Sequence, residues 1–481
     1  MSKSKAISKT DLDKSPSSPA LLSQARFIKD LQEKGASIYE VGGSLRDHIL
    51  NRDTKDYDLV VAKLPFEIIK KILKNHGSVS LVGKSFGIIK FDTKELDYEF
   101  DIALPRKEKS TGVGHRDFEV DFDPNIPIED DLKRRDFTIN AMAREIGHNS
   151  FIDPHHGKKD LKEKLIRTVS TNSFEEDPLR LLRAVQFSAR FDFKVEKQTL
   201  QDMKKYSKLI HTITSERISE EILKLFSAKK PSKGFTLMKE TGLLKEVFPE
   251  LEATINVEQG NKIRNDDVFK HIMRVFDASS EDNAIDHSGD LNLMLASLYH
   301  DVGKSKTKRF FTKENKITFY GHQIVSKRMF QKRFKALKML HIGADVDEIS
   351  CLIENHMFQT KSFFTDKAIR RFINQIGKER IFKLIDLRIA DNRGGKYPDG
   401  IKGIQKLKKR IIDEIEKEPP FSIKDLAING HDIMALGLVE GPDIGLILHH
   451  LLDIVLDHPE KNDKETLLSI TQTYLQSIGK L

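Results

Sequence analysis

The chain has 481 residues, 38% hydrophobic and 32% charged, with a formal net charge of +8. That length implies roughly three or more domains, and no stretch approaches the roughly 20 apolar residues of a membrane span. The lone Cys351 excludes an internal disulfide framework and multi-cysteine zinc sites, the missing N-terminal hydrophobic region points to the cytoplasm, and the positive excess is compatible with an acidic polymer as partner.

Residues 1–20, rich in Ser, Lys and Pro, read as a disordered tail. Residues 20–32 read as a helix leading into an apolar run with Ile38 and Val41, which ends at Gly42-Gly43. Ser44 is placed as an N-cap and residues 45–50 as a short amphipathic helix. Paired glycines let the backbone approach a ligand closely, and a helix start offers N–H groups to phosphate oxygens. Arg46, in the first turn, is within reach of the same phosphates. A second run over 57–62 begins beside Asp56 and Asp58. Two apart on a strand, both carboxylates leave one face, as Mg²⁺ needs when it also holds substrate phosphates. Either half alone reads more readily as a glycine turn or an acidic loop cap; the two within about twenty residues favour metal-dependent nucleotidyl transfer.

Residues 65–75 read as a helix with Pro65 at its start. Residues 79–91 and 96–104 alternate like strands, giving a mixed α/β head. Asp97, Glu99 and Asp101 fall on one face, and any of them can complete a carboxylate triad; an edge strand with a polar face is the competing reading for Asp97 and Glu99. Residues 107–123 read as a flexible loop. If 128–143 is a helix, Asp136 and Asn140 are i, i+4 neighbours on one face.

In 173–191, Pro178 fits a first helical turn. Asp177, Arg180 and Arg183 follow at i+3 steps, and Glu176 is four before Arg180. A solvated ladder of such pairs contributes roughly a few tenths of a kcal/mol each. The functional alternative is base recognition: a fixed Asp accepts from an exocyclic amine, and a fixed Arg donates to ring nitrogens and carbonyls. That admits CTP and ATP and rejects UTP and GTP. Residues 213–223 continue as a neck helix with a capping-box-like start at Thr214 and Ser215.

Farther on, His271, His300-Asp301, His322, His356 and Asp391 come in that order on helical segments. Each histidine alone is more often structural than a ligand. Residues 404–418 form a Lys-rich helix, and Gly-punctuated helix starts follow near 430 and 441.

The stretch Val41-Gly-Gly-Ser-Leu-Arg-Asp47 with Asp56-Tyr-Asp58 resembles the polymerase-beta-like nucleotidyltransferases, and within them the branch of CCA-adding enzymes and bacterial poly(A) polymerases. Arg134-Arg-Asp-Phe-Thr-Ile-Asn-Ala141 and Glu176-Asp-x-x-Arg180 extend the resemblance. It implies an α+β chain: a tail at 1–20, a nucleotidyltransferase head at 21–165, a helical neck at 166–255, an HD domain at 256–396 and a C-terminal helical region at 397–481. It implies Asp56, Asp58 and Asp101 as the catalytic carboxylates for Mg²⁺. Gly43, Arg46 and Arg106 would cradle the triphosphate, and Asp136 and Asn140 would hold the sugar. Glu176, Asp177 and Arg180 would be the base template, with Arg183 beside it and Glu216 and Arg217 in support. Gln186 departs from the family, which usually has a further Arg there.

The histidines and aspartates of the middle resemble the HD phosphohydrolases. By that resemblance His271, His300, Asp301 and Asp391 hold one divalent metal, and His322 and His356 hold a second metal or a substrate phosphate. Imidazole with carboxylate suits Mn²⁺, Ni²⁺, Fe or Mg²⁺, and implied substrates include 2′,3′-cyclic phosphates and phosphorylated tRNA ends. The expected activity is addition of CCA to the tRNA 3′ end from CTP and ATP, releasing pyrophosphate. The runner-up is a poly(A) polymerase or a partial CC- or A-adding enzyme. A different class is an HD phosphohydrolase with an inert, RNA-binding head. A non-catalytic RNA-binding protein is disfavoured by the Asp56/Asp58 pair, which binding alone does not need. No membrane partner is implied, and no oligomeric state is read from the sequence.

Overall fold

The computed structural model describes residues 19–478 apart from 53, 55, 83–86, 94, 97, 111–117, 149, 260–265, 313–315, 360–364 and 396–397. The tail at 1–18 and Asp97 lie outside the described residues. Two compact units form, one from residues up to 228 with 233–247, the other from 229–232 with 248–481.

The first unit opens with α1 (Pro19–Gln24) and α2 (Arg26–Glu33). The expected single helix over 20–32 is broken at Ala25, whose backbone is extended (φ −60°, ψ 135°). A seven-stranded sheet follows, made of β1 (Ser37–Val41), β2 (Asp56–Ala62), β3 (Gly77–Val82), β4 (Ile88–Thr93), β5 (Glu99–Ala103), β8 (Ala143–Glu145) and β9 (Phe151–Ile152), in the order β3-β4-β5-β2-β1-β8-β9. The stretch 79–91 is thus a hairpin of two antiparallel strands. Helix α3 (Gly42–Ile49) joins β1 to β2, and α4 (Phe66–Lys74) follows β2. Period-2 alternation sorts β5, with Phe100 and Ile102 inward and Glu99 and Asp101 exposed. Phe27, Phe91 and Phe100 meet edge to face or tilted in the core beneath, with Tyr57 stacked on Phe100.

The expected loop at 107–123 is instead flanked by paired strands, β6 (Arg106–Ser110) and β7 (Phe118–Phe122). Its charged composition hid the pairing, because backbone hydrogen bonds between strands do not require an apolar side-chain pattern. Helix α5 (Ile128–Lys133) ends well before the expected 143: Phe137 is extended (φ −128°, ψ 150°) and bridges Thr168, and residues 138–140 form a single 3-10 turn. The neck then carries α6 (Gly157–Glu163), α7 (Ser173–Glu176), α8 (Arg180–Phe191), α9 (Lys197–Tyr206), α10 (Ser215–Phe226), α11 (Ser232–Thr241) and α12 (Leu243–Val247). A short parallel pair, β10 (Leu165–Ile166) with β11 (Lys194–Val195), ties its start to the end of α8.

The second unit is helical: α13 (Pro249–Glu252), α14 (Val268–Ser280), α15 (Leu291–Tyr299), α16 (Lys304–Thr307), α17 (His322–Ala336), α18 (Val346–Asn355), α19 (Asp366–Ile376), α20 (Arg380–Gly394), α21 (Lys402–Glu416), α22 (Gly430–Met434), α23 (Pro442–Asp457) and α24 (Lys464–Ser477). One antiparallel ribbon, β12 (Arg309–Phe311) with β13 (Lys316–Thr318), lies between α16 and α17. Helices α14, α15, α18 and α20 pack on one another, and a separate apolar cluster fills the region of α22, α23 and α24. Among the described residues no helix is long and apolar enough to cross a membrane.

Candidate functional site

Strand β1 delivers the chain to Gly42, whose φ of +68° favours glycine. A Cβ there would stand 2.9 Å from an Arg135 guanidinium nitrogen and 3.0 Å from the Asp58 carboxylate. Helix α3 starts at Gly42 itself, so Ser44 is not its N-cap; no side chain caps it. Ser44 instead donates to the Val41 carbonyl at 3.1 Å and accepts the Asp58 amide at 3.3 Å. The Gly43 N–H donates to Asp58 Oδ2 at 3.2 Å. The turn is therefore fastened to β2 through the very residue expected to bind metal.

Parallel pairing of β2 with β5 sets Asp58 beside Asp101 and Asp56 beside Glu99. These four carboxylates and Asp47 line a recess of about 310 Å³, with Lys90 on its rim 3.9 Å from Asp101. Burial pushes the Asp58 carboxyl above the usual range; the Arg135 charge and the Gly43 N–H pull against that, and Asp101 adds to it. Clustered hard oxygens of one sign fit a small divalent cation, which would relieve the crowding.

Beside the recess opens a cleft of about 540 Å³ lined by arginines, among them Arg46, Arg106, Arg135 and Arg190. Arg46 is locked in the wall. It donates to Asp47 at 2.9 and 2.8 Å and to Asn140 at 2.7 Å, and its guanidinium lies 4.5 Å from the Phe191 ring centroid. Buried Asp131 accepts from Arg134 and Arg135 and from the Arg106 amide. Asp136 and Asn140 do meet, at 3.0 Å, but across the turn at 137–140 and not along a helix. Arg183 donates to the far oxygen of Asp136 at 2.8 and 2.6 Å. Burial raises the Asp136 pKa, yet Arg183 and Asn140 outweigh it and hold the carboxyl below its ordinary range.

The base-template segment is also not one helix. It breaks at Asp177, extended at φ −140° and ψ 97°, just before Pro178. Arg180 spans the break: it reaches Glu176 at 3.1 Å, the Ser173 carbonyl at 3.2 Å and the Arg134 carbonyl at 2.7 Å. The expected Asp177–Arg180–Arg183 ladder does not form, since Arg183 turns to Asp136 and Arg217 donates to Asp177 at 3.3 Å. Helix α10 does start at the expected Thr214 and Ser215, without a side-chain cap. Gln186 lines the cleft and accepts from Arg190 at 3.1 Å, so a guanidinium stands one turn farther along α8. Arg135, Arg190 and Lys224 line the cleft although the sequence reading gave them no role. The signal available was spacing: Arg190 follows Arg183 by seven residues, on the same helix face.

In the second unit the six predicted HD residues come together. His271, His300 and Asp301 present ligand atoms within 4.8 Å of one another, as do Asp301, His322 and His356. Asp391 reaches His271 at 3.2 Å. Each ring faces a backbone carbonyl with Nδ1: His300 to Ser297, His322 to Phe319, His356 to Ile353, and His271 more loosely to Gly394. With Nδ1 so occupied, each ring turns its Nε2 inward toward Asp301. Two pairs of these nitrogens, His271 with His300 and His322 with His356, lie only 3.3 Å apart. Four imidazole nitrogens and the carboxylates of Asp301 and Asp391 so gathered are a donor set that would fit one or two divalent metals. Burial disfavours the charged form of His271, but Asp301 and Asp391 lift its pKa to about 9. Gly303 permits the closeness: a Cβ there would lie 2.2 Å from the His322 carbonyl.

Four families match along the chain. Residues 38–167 match the poly(A) polymerase head domain, 192–255 an RNA- and SrmB-binding site of polymerase A, 268–392 the HD domain, and 375–471 domain 2 of tRNA nucleotidyltransferase. The chain is 36% identical to the multifunctional CCA protein of Paraburkholderia phymatum over 56% of this chain and 64% of that protein. It is 33% identical to the one of Methylobacillus flagellatus over 66% of this chain and 73% of that protein. For that of Pasteurella multocida the identity is 32%, over 74% and 84%. The fold is similar to the Bacillus stearothermophilus CCA-adding enzyme in complex with CTP, with a TM-score of 0.68 at 24% identity over 96% of this chain and 98% of that one. By the relatives at 33% and 32% identity, covered to 73% and 84% of their length, the chain belongs to the multifunctional CCA protein family and is a nucleotidyltransferase.

Proposed function

We propose that the chain adds C and A to the 3′ end of tRNA from CTP and ATP, with loss of pyrophosphate, and that its HD cluster hydrolyses phosphoesters. The observation that carries the first reading is the pairing of Asp58 with Asp101 at the rim of an arginine-lined cleft that also holds Glu176, Asp177 and Arg180. Asp56, Asp58 and Asp101 are the residues to hold Mg²⁺. When bound, Mg²⁺ supplies positive charge for the attacking hydroxyl and the departing pyrophosphate. The chain's own part is positioning. Gly43 keeps the Asp58 carboxylate in place through its N–H, and Arg46 with Asn140 forms the cleft wall. Arg106, Arg135, Arg190 and Lys224 face the triphosphate and offset its charge. Asp177 accepts from the exocyclic amine of C or A, and Arg180 braces the template against the Arg134 carbonyl.

For the HD cluster, His271, His300, Asp301 and Asp391 hold one metal, and His322 with His356 and Asp301 a second. Mn²⁺, Ni²⁺ or Fe in that setting supplies Lewis acidity toward a phosphoester. The cytoplasm is the compartment this reading implies.

The test is incubation of the purified chain with tRNA lacking its 3′ end and one labelled nucleotide at a time. CTP alone should give two additions, CTP with ATP a third, and UTP or GTP none. Long A tracts from ATP alone would mark a poly(A) polymerase and overturn the proposal.

A further inference from the structure

The ribbon β12–β13 leaves and re-enters the protein at the HD cluster. Its entry follows Lys304, whose ammonium sits 2.5 Å from Asp301 and 5.5 Å from the Phe319 ring centroid. Its exit is Phe319, whose carbonyl accepts from His322 Nδ1 at 2.8 Å. Both ends are thus bonded directly to candidate metal ligands.

What the ribbon carries is unusual for a soluble surface. Among the described residues four aromatic side chains are exposed, and three of them are here: Phe310 at 57%, Phe311 at 42% and Tyr320 at 77%. Scattered single apolar residues need no explanation, but a cluster beside a site does. Register puts Phe310 with Ile317 on one face, and Phe311 with Lys316 and Arg309 with Thr318 on the other. One face therefore interleaves an aromatic ring with two cations. Both cations are exposed, whereas Lys308 is paired with Glu258 at 3.1 Å. Residues 308–320 hold four Lys or Arg and one acid, Glu314.

A flat ring set between positive charges matches the needs of an unpaired nucleotide: a base stacks on the ring, and phosphates meet the cations. We propose that this ribbon is the platform that binds a single-stranded RNA 3′ end and feeds its terminal phosphate to the HD cluster. The proposal rests on the phosphohydrolase reading for the last step only. A protein docking on the same face would want apolar area without exposed cations, so RNA is the occupant the charge favours.

The experiment uses the full chain loaded with Mn²⁺ and a short unpaired RNA ending in a 2′,3′-cyclic phosphate, with 4-thiouridine next to the end. Irradiation should place adducts on the peptides 310–313 or 317–327. The exposed Phe311→Ser should raise the KM for hydrolysis of this RNA about tenfold and leave kcat unchanged, and Phe310→Ser, on the opposite face, should change it less. Hydrolysis of p-nitrophenyl phosphate, too small to reach the ribbon, should not change. Arg309→Ser and Lys316→Ser should each lower the salt dependence of RNA binding by about one counterion. Adducts confined to other peptides, or an unchanged KM, would overturn the proposal; so would loss of a co-purifying protein from the variants with RNA binding intact. If the unmodified chain hydrolyses neither ester, the phosphohydrolase reading falls, and the adduct map still decides whether the ribbon binds RNA.

Discussion

Asp136 is buried with three donors on its two oxygens: Asn140, the Phe137 amide and Arg183. Its depressed pKa means that the folded state favours the carboxylate, so its stabilisation is fully present above the ordinary value near 4 and is lost as pH falls below it. Asp136→Asn should remove that acid limb, read as a flatter melting temperature between about pH 4 and 2. Asp136→Ala should cost roughly 2 kcal/mol at neutral pH, because Arg183 loses its partner yet keeps partial access to solvent. A melting temperature unchanged at pH 7 would contradict this. The sequence does bring Asp136 and Asn140 together, but by a helical spacing the fold does not use. Arg135, Arg190 and Lys224 went unmarked because an arginine facing a cleft and one facing water look alike in a charged helix. The six HD residues were legible through the resemblance of their order along the chain to the HD phosphohydrolases, since each histidine alone reads as structural.

At the scale of elements, the boundaries changed most where backbone pairing outweighed propensity. Helix α5 stops because Phe137 leaves it to bridge Thr168, and the ribbon of β6 and β7 forms from residues whose charges suggested only a loop. The split between α7 and α8 has a consequence for selectivity. Pro178 and the extended Asp177 end α7 and set the Asp177 carboxylate at the start of α8, where it accepts from the Leu179 amide at 3.2 Å, and Arg180 bridges the gap to Ser173 and Arg134. Arg180→Ala should loosen this template more than the fold. Discrimination of CTP over UTP in kcat/KM should fall by about tenfold or more, about 1.4 kcal/mol, beyond the loss of stability that truncating this buried, hydrogen-bonded side chain brings. Equal losses for CTP and UTP would mean that Arg180 only stabilises the neck.

At the scale of the whole molecule, the mixed α/β head was legible from the alternating runs over 79–91 and 96–104, and the helical remainder from the family resemblance. Where each element ends was not, since that depends on contacts distant in sequence. The HD cluster should behave as a metal site independent of the head. At one hundred times its Kd, Mn²⁺ or Ni²⁺ should stabilise the chain by about 2.7 kcal/mol, seen as a rise in melting temperature that His300→Ala abolishes. A rise that survives that change would place the metal elsewhere. The most direct test of the central claim is single-turnover extension of tRNA lacking its 3′ end by Asp58→Ala. The account predicts a fall in rate of about a thousandfold or more, with CTP still bound in the cleft and phosphoester hydrolysis intact. Extension at the unmodified rate would contradict it.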